Sequence, residues 1–597
     1  MVTTGFERSH WAGQVGEGDV GREVSVAGWV HRRRDHGGLI FLDVRDRTGL
    51  LQVVVRPEDE AAFAAAESAR QETVVRARGS VRLRAPEAVN PNMATGTVEV
   101  AAASVEILSR PARLPFVPTD TGVDENVRLR HRYIDLRRPE LYANLALRHR
   151  LARAVRSSLD EMGFLEIETP TMTRSTPEGA RDYLVPSRLW PGRFYALPQS
   201  PQLFKQLLMV GGVERYYQLA RCYRDEDLRA DRQPEFTQID VEMSFVEASD
   251  VQSAVEAMMA RIFRDTIGYE LTLPLPRLSW REAVDRYGSD KPDLRYGLAA
   301  DDMTDATRAV ALPLLERAAA EGWVVRVLRA PDAGAFSRKD LDTLVDAARA
   351  QGATLAWLRR VDGALRSSFG QQAAPEALEA VARAAALADG QTALLVVGAL
   401  AKARPALGAV RTAVAQRLGL VPDTVTPPAL VWVTDFPLFE PDGEGGLASA
   451  HHPFTAPDDA DLEAVVAGTG DPLTFGSKAY DLVLNGFELG SGSIRVHRPE
   501  VQEAIFRWLG IGPERAHERF GFLLDGLRAG APPHGGIAIG VDRVAMVLAG
   551  APSLRDVLAF PKVASGVDPL TNAPAEVDRD QLEELRIAVV APPAGKV

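Results

Sequence analysis

Three features of the chain predict an α+β multidomain protein. Five short β-rich runs crowd into residues 1–110. A helix–strand–Pro segment and a strand–Arg–loop–strand segment follow, and a glycine-rich strand ending in Arg comes about three hundred residues later. Between these pieces residues 295–428 turn alanine-rich with several helical patterns, as an inserted α/β domain would. A length of 597 residues suffices for about three to five domains.

Composition narrows the class. Hydrophobic content of 46% and charge of 25% suit a globular chain. The single cysteine, Cys222, excludes an intrachain disulfide and a multi-cysteine zinc site, and fits a reducing compartment. The segment Met1–Glu7 has neither a basic n-region nor an apolar h-region, and apolar runs stay short of the ~18 residues of a membrane helix. A cytoplasmic protein without a membrane anchor is expected. The net charge of −12 argues against sequence-blind nucleic-acid binding, which needs a basic field. It leaves room for an RNA partner met through local patches such as Arg32-Arg33-Arg34.

The elements follow in order. Val24–Val30, Leu39–Val44, Leu50–Val55, Glu72–Val81 and Gly96–Ala101 are β-rich runs separated by turn residues, so residues 1–110 form a small barrel, with an OB-fold as the candidate. Three prolines in Pro111–Pro118 open a stiff hinge, 111–138. An amphipathic helix runs from Asn144 to Met162, with Leu147, Leu151, Val155, Leu159 and Met162 at helical spacing and Gly163 as C-cap. It opens a domain whose first part is 139–294. Thr426-Pro-Pro428 closes the insertion, and the strand Ala429–Thr434 opens the second part, 429–550. The extension 551–597 is irregular up to a short helix near Asp580–Leu585.

The strand Phe236–Phe245 carries the clearest chemical pattern. Side chains alternate along a strand, so Ile239, Val241, Met243 and Phe245 face one way and Gln238, Asp240, Glu242 and Ser244 the other. Tyr223-Arg224-Asp225-Glu226 lies just upstream and turns that polar face toward a ligand. Arginine offers a planar fork of donors to phosphate oxygens, which suits Arg224 and the distant Arg543 to one bent triphosphate. Asp481 and Glu488 form an acidic pair, and two carboxylates with substrate phosphates are the usual holder of Mg²⁺. Gly490-Ser-Gly-Ser493 permits close approach to a ligand between Glu488 and Arg495. Ser175–Asp182 is a polar loop suited to be a lid, and Lys205 in Ser200-Pro-Gln202-Leu-Phe-Lys205 can meet an anionic group. Adjacent His451 and His452 lack the spacing of metal ligands.

These motifs are similar, nearly residue for residue, to those of the bacterial-type aspartyl-tRNA synthetases. The resemblance rests on Gly28-Trp-Val-His-Arg-Arg-Arg-Asp35, Ser175–Pro186, Ser200–Lys205, Tyr223–Asp240 and Gly540-Val-Asp-Arg543, and it covers essentially the whole chain. It implies an N-terminal OB-fold anticodon-binding domain, a class II antiparallel-sheet catalytic domain, and a bacterial-type α/β (GAD-type) insertion. It implies catalysis by Arg224, Arg543 and Glu226. ATP would be held by Arg224, Asp225, Glu226, Phe236, Glu488 and Arg543, and Mg²⁺ by Asp481 and Glu488. L-Aspartate would meet Glu178, Ser200, Gln202, Lys205, Asp240, His451 and Arg495. The anticodon would meet Arg34, His36, Phe41, Gln52 and Glu99. A homodimer built around Asn144–Pro170 is implied, with tRNA-Asp as partner.

His36 stands where many members restricted to tRNA-Asp carry Leu, so it resembles relaxed members that also charge tRNA-Asn. It is expected in the loop after Arg34. An asparaginyl or lysyl relative is disfavoured by Arg495 with Lys205 and by the insertion. A non-catalytic RNA-binding descendant is disfavoured by intact Arg224, Glu488 and Arg543, and a tRNA-independent asparagine synthetase by the barrel.

Overall fold

The computed structural model describes residues 7–176, 179–331, 336–370, 373–422 and 424–590. It falls into two compact units, one of residues 1–145, 559–563 and 567–574, the other of the remainder.

In the first unit five strands close into a barrel in the order β1 (Glu23–His36), β2 (Leu39–Asp46), β3 (Gly49–Val55), β5 (Val98–Ser109), β4 (Val74–Leu83). Every second residue points inward, so Val24, Val26, Ile40, Leu42, Val44, Leu51, Val53, Val98 and Val100 make one core. A helix absent from the sequence reading, α1 (Glu60–Ser68), covers part of this core with Ala62 and Ala66. Alanines leave little periodic signal, which is why it was not legible. β1 runs six residues beyond the predicted Val30, past a bulge between Val30 and Arg32. Gly37 and Gly38 both have positive φ and turn β1 into β2 as a two-residue hairpin. His36 therefore lies in a strand opposite Leu39, not in a loop.

The second unit is built on an eight-stranded sheet. Its order is Arg277–Ser279, Leu430–Thr434, Ala479–Leu484, Phe487–Ile494, His534–Gly540, Glu235–Ser244, Arg215–Tyr223, Leu165–Glu166. The inner pairings are antiparallel, and the two edge pairings are parallel. The long helix spans Pro139–Glu161 and starts before Asn144, because proline is suited to a first turn. Its Leu147, Leu151, Val155 and Leu159 pack with Tyr217, Ile239, Val241 and Met243. Phe245 leaves this pattern: its φ is +57° and it is 70% exposed, because the strand ends at Ser244.

A second, five-stranded sheet uses Asp301–Asp302, Val324–Ala330, Thr392–Gly398, Thr354–Val361 and Ala364–Ser367, in that spatial order. Its central strand is apolar after Thr392 because both faces are covered. Leu394 and Val396 pack under helices Arg338–Ala350 and Leu400–Arg417. Ala393, Leu395 and Val397 pack under Pro313–Ala320 and Pro375–Ala384. Among the described residues no helix is long and apolar enough to cross a membrane.

Candidate active site

The strand Glu235–Ser244 is the axis of the site. Its apolar face is core, as alternation predicts, but its polar face is buried too: Asp240 and Glu242 are both 0% exposed. Such carboxylates need compensation in a low dielectric. Lys205, on the helix Gln202–Val210, donates from Nζ to Asp240 Oδ1 at 2.9 Å and lies 3.2 Å from Glu242 Oε2. Arg495 donates from Nε to Glu242 Oε1 at 3.0 Å, from Nη2 to Oε2 at 3.3 Å, and from Nη1 to Ser493 Oγ at 2.8 Å. Burial pushes the Glu242 carboxyl up, yet Arg495 and Lys205 outweigh it and hold it down at about 2. Burial raises the Asp240 carboxyl, which Lys205 only partly offsets. Asp240 Oδ2 has no hydrogen-bond partner. The neighbouring strand must be glycine at 536, since a Cβ there would sit 2.2 Å from Glu242 Oε2.

The cluster holds two cations and two anions. It can receive a zwitterion with an acidic side chain: the cations face the carboxylate and the open Asp240 oxygen faces an ammonium. Glu242 was seen in the sequence only as one residue of a polar row. Its role depends on Arg495, 253 residues away, and no local pattern could reveal it.

Glycine-rich backbone and arginines form the other end. Arg224 follows the strand Arg215–Tyr223, and its guanidinium lies 5.0 Å from the centre of the Phe236 ring. Among the described residues it makes no ion pair, so its donors are open to an anion. Glu226 accepts from Arg232 Nη1 at 3.1 Å, and Asp225 lies 3.7 Å from Arg181. Arg543 stands in the first turn of the helix Val541–Ala549, donates to the main-chain oxygen of Glu488, and lies 3.5 Å from Asp231. Its Nε is buried without a partner. Asp542 beside it pairs with Arg148 of the long helix and accepts from the Thr237 N–H at 3.2 Å.

Asp481 and Glu488 belong to one hairpin, Ala479–Leu484 with Phe487–Ile494. Burial first, then the charge of Glu488, raise the Asp481 carboxyl well above its ordinary value. Asp481 Oδ1 is buried without a hydrogen-bond partner. Two hard oxygen donors that repel one another fit a divalent cation completed by phosphate oxygens. Among the described residues no group of three or more His, Cys, Asp or Glu could hold a metal alone. His451 Nδ1 lies 2.8 Å from Ser491 Oγ and 3.6 Å from Asp481. Burial lowers its pKa to about 4, so it is neutral at pH 7. His452, half-buried, accepts from the Phe454 N–H at 3.3 Å and leaves Nε2 unpartnered.

Glu178 lies outside the described residues. The segment after it is fixed by a residue the sequence reading passed over, Gln199. Its amide accepts from the Ala180 N–H at 3.1 Å and donates to the Ala180 oxygen at 2.8 Å and to Asp182. Ser200 Oγ accepts from the Gln202 N–H at 3.3 Å, and the Gln202 amide donates to Gln206 at 3.2 Å.

In the barrel, Arg34 donates to Asp43 at 2.8 Å and to Gln52 at 3.1 Å, Gln52 donates to Glu99 at 2.7 Å, and Arg82 donates to Glu99 at 2.8 Å. This outer network joins all five strands. Phe41 is paired with Arg34, and His36 lies two residues on, on the same face. A cavity of about 490 Å³ also opens in this unit, lined by Trp29, His31, Arg45 and Arg137. The guanidiniums of Arg45 and Arg137 are already paired, since both donate to Glu72 at 2.8–2.9 Å.

The match to known families agrees with this geometry. Residues 124–564 match the class II tRNA synthetases (D, K and N), and residues 24–108 match the OB-fold nucleic acid binding domain. The chain belongs to the class II tRNA synthetases, and it is a ligase. Similar curated proteins are the aspartate–tRNA ligase of Geobacillus kaustophilus, 51% identical over 98% of this chain and 100% of that one, and the aspartate–tRNA(Asp/Asn) ligase of Moorella thermoacetica, 51% identical over 98% of each. The asparaginyl-tRNA synthetase of Pyrococcus horikoshii, solved with asparaginyl-adenylate, shares the fold at a TM-score of 0.58 and 18% identity, over 94% of this chain and 98% of that one.

Proposed function

We propose that this chain is an aspartate–tRNA ligase that charges both tRNA-Asp and tRNA-Asn. Ligation of aspartate follows from relatives of about half identity that span nearly the whole chain. Several of these bear the Asp/Asn name, including that of Bacillus subtilis, and others the aspartate name alone. The observation that carries the broader reading is His36, exposed at the tip of the β1–β2 hairpin on the face of Arg34 and Phe41. The two anticodons differ only at their third base. An imidazole offers both a donor and an acceptor to that base, whereas leucine offers only shape.

In this reading an aspartate α-carboxylate oxygen attacks the α-phosphorus of ATP, and the bond to pyrophosphate breaks. Arg224 neutralises charge building on the α-phosphate, and Arg543 holds the γ-phosphate. Phe236 stacks on the purine beside Glu226 and Asp225. Arg495 and Lys205 face the side-chain carboxylate, while Asp240, with Gln202, Ser200 and Glu178, surrounds the ammonium. An asparagine amide would turn N–H donors toward those cations, and sites built on such pairing discriminate by about 10⁴ or more. Mg²⁺ held by Asp481 and Glu488 would draw off phosphate charge. The adenylate then passes aspartate to the tRNA 3′ end, with Phe41, Gln52, Arg34 and Glu99 meeting the anticodon.

Domain roles follow: anticodon binding by 1–110, a hinge at 111–138, catalysis by 139–294 and 429–550, and an inserted body at 295–428. A cytoplasmic homodimer is part of the proposal. The second copy is proposed to meet the segment Asn144–Pro170, where Leu165 is exposed. The test of tRNA breadth is charging of tRNA-Asp and tRNA-Asn transcripts separately with radiolabelled aspartate. Wild type should charge both, and His36→Leu should lose tRNA-Asn charging by about tenfold or more, since a misread base costs about 1–3 kcal/mol. A wild type that rejects tRNA-Asn a thousandfold would remove the proposal.

A further inference from the structure

The segment between the helix Trp280–Tyr287 and the five-stranded sheet is held firmly against the acidic hairpin. Arg411, 3% exposed on the helix Leu400–Arg417, donates to the main-chain oxygens of Asp293 at 2.6 Å, Gly297 at 2.9 Å and Leu298 at 3.1 Å. Arg295 closes on Asp293 from Nη2 at 2.7 Å and from Nε at 3.0 Å. On the other side is the turn Asn485-Gly486, which joins the two strands carrying Asp481 and Glu488. Gly486 has φ +85°, and a Cβ there would lie 3.1 Å from Cβ of Asp293. The turn and the segment are thus in direct contact.

This arrangement delivers one cation to the acidic pair. Lys291 Nζ lies 3.8 Å from Glu488 Oε2, with half of its side chain exposed. Arg543 reaches the same residue through its main-chain oxygen. Two cations from distant parts of the chain therefore converge on Glu488. The Glu488–Lys291 contact is long and solvated, and such a pair is weak. A divalent cation arriving with ATP would neutralise Glu488 and free the ammonium. Lysine carries its charge on a flexible four-carbon stem and is a common point-charge partner of phosphate.

We propose that Lys291 is a third phosphate-binding cation of the site, swinging from Glu488 to the β- and γ-phosphates of ATP. The proposal rests on the reading above, in which Arg543 and Glu488 mark the phosphate end. It assigns a direct substrate contact to the segment that leads into the inserted body.

Calorimetric titration of the full-length protein tests it, with ATP·Mg²⁺ and with AMP, in the absence of aspartate so that no adenylate forms. Lys291→Met should raise the ATP Kd by about tenfold or more, the loss expected for one charge-assisted contact. The AMP Kd should stay within about twofold, because AMP lacks the two phosphates. Lys291→Arg should recover most of the ATP affinity. An unchanged ATP Kd in Lys291→Met overturns the proposal, as does an equal weakening of ATP and AMP, which would mark a structural role. Arg543→Met is measured beside it. If Lys291→Met alone leaves ATP binding intact, only Lys291 loses its role. If Arg543→Met also leaves it intact, the reading of the phosphate end falls, and the proposal with it.

Discussion

Replacing Glu242 by Gln should damage this protein more than any other isosteric change in the site. The carboxylate is 0% exposed and touches both Arg495 and Lys205. With it the cluster is neutral; without it two cations face Asp240 alone in a buried site. The carboxyl is held at about 2 against an ordinary 4.5. Undoing that depression costs on the order of a few kcal/mol. Breaking one side of a buried pair costs about 3–5 kcal/mol, the same order. A Gln amide also turns an N–H toward a guanidinium, so Arg495 loses its fixed position. At about 2 °C or more per kcal/mol, the transition of the catalytic unit should fall by about 6–10 °C in calorimetry. The pH dependence has a definite sign. A depressed carboxyl contributes fully above its unfolded value and loses its contribution as pH falls toward the folded one. The gap between wild type and Glu242→Gln should be constant from pH 8 to about 5 and narrow below about 4.5. Aspartate Kd, by titration calorimetry, should rise by about tenfold or more as the guanidinium loses its anchor. A melting shift under about 2 °C, or a gap that widens in acid, would refute the reasoning.

Three further outcomes are expected. Arg224→Ala should lower aspartate-dependent pyrophosphate exchange by about 10²–10³, as loss of one transition-state donor does, while circular dichroism stays unchanged; exchange near the wild-type rate would remove Arg224 from the α-phosphate. Gly536→Ala should destabilise the protein by about 1–3 kcal/mol in urea unfolding, because the new methyl overlaps the Glu242 carboxylate and the Val241 oxygen; unchanged stability would mean that the strand relaxes freely. Asp481→Asn should raise the melting temperature of the metal-free protein by a few degrees while abolishing exchange, since it replaces a buried carboxyl that Glu488 repels with a neutral amide; a lower melting temperature would contradict this account of the pair.

Much of this architecture can be read from local sequence, and the reason is geometric. Period-two alternation from Gln238 to Ser244 assigns each side chain to a face, because a strand permits no other arrangement. Helical spacing places Leu147, Leu151, Val155 and Leu159 on one stripe, and they are buried together. Motifs such as Tyr223–Glu226 and Gly540–Arg543 name the residue types that a triphosphate needs. Alternation does not say what a face meets. The sequence turns the acidic face of Glu235–Ser244 toward a ligand but does not show what neutralises it there, because Lys205 and Arg495 arrive from segments far off in the chain. The position of His36 escaped for a related reason: β1 is extended by pairing with β2 and by the Gly37-Gly38 turn, not by its own polar residues. Local sequence dictates backbone state and side-chain direction through steric limits that act over a few residues. Which charges neutralise one another, and which glycine leaves room for a carboxylate, is settled where strands hundreds of residues apart are brought to within hydrogen-bonding distance.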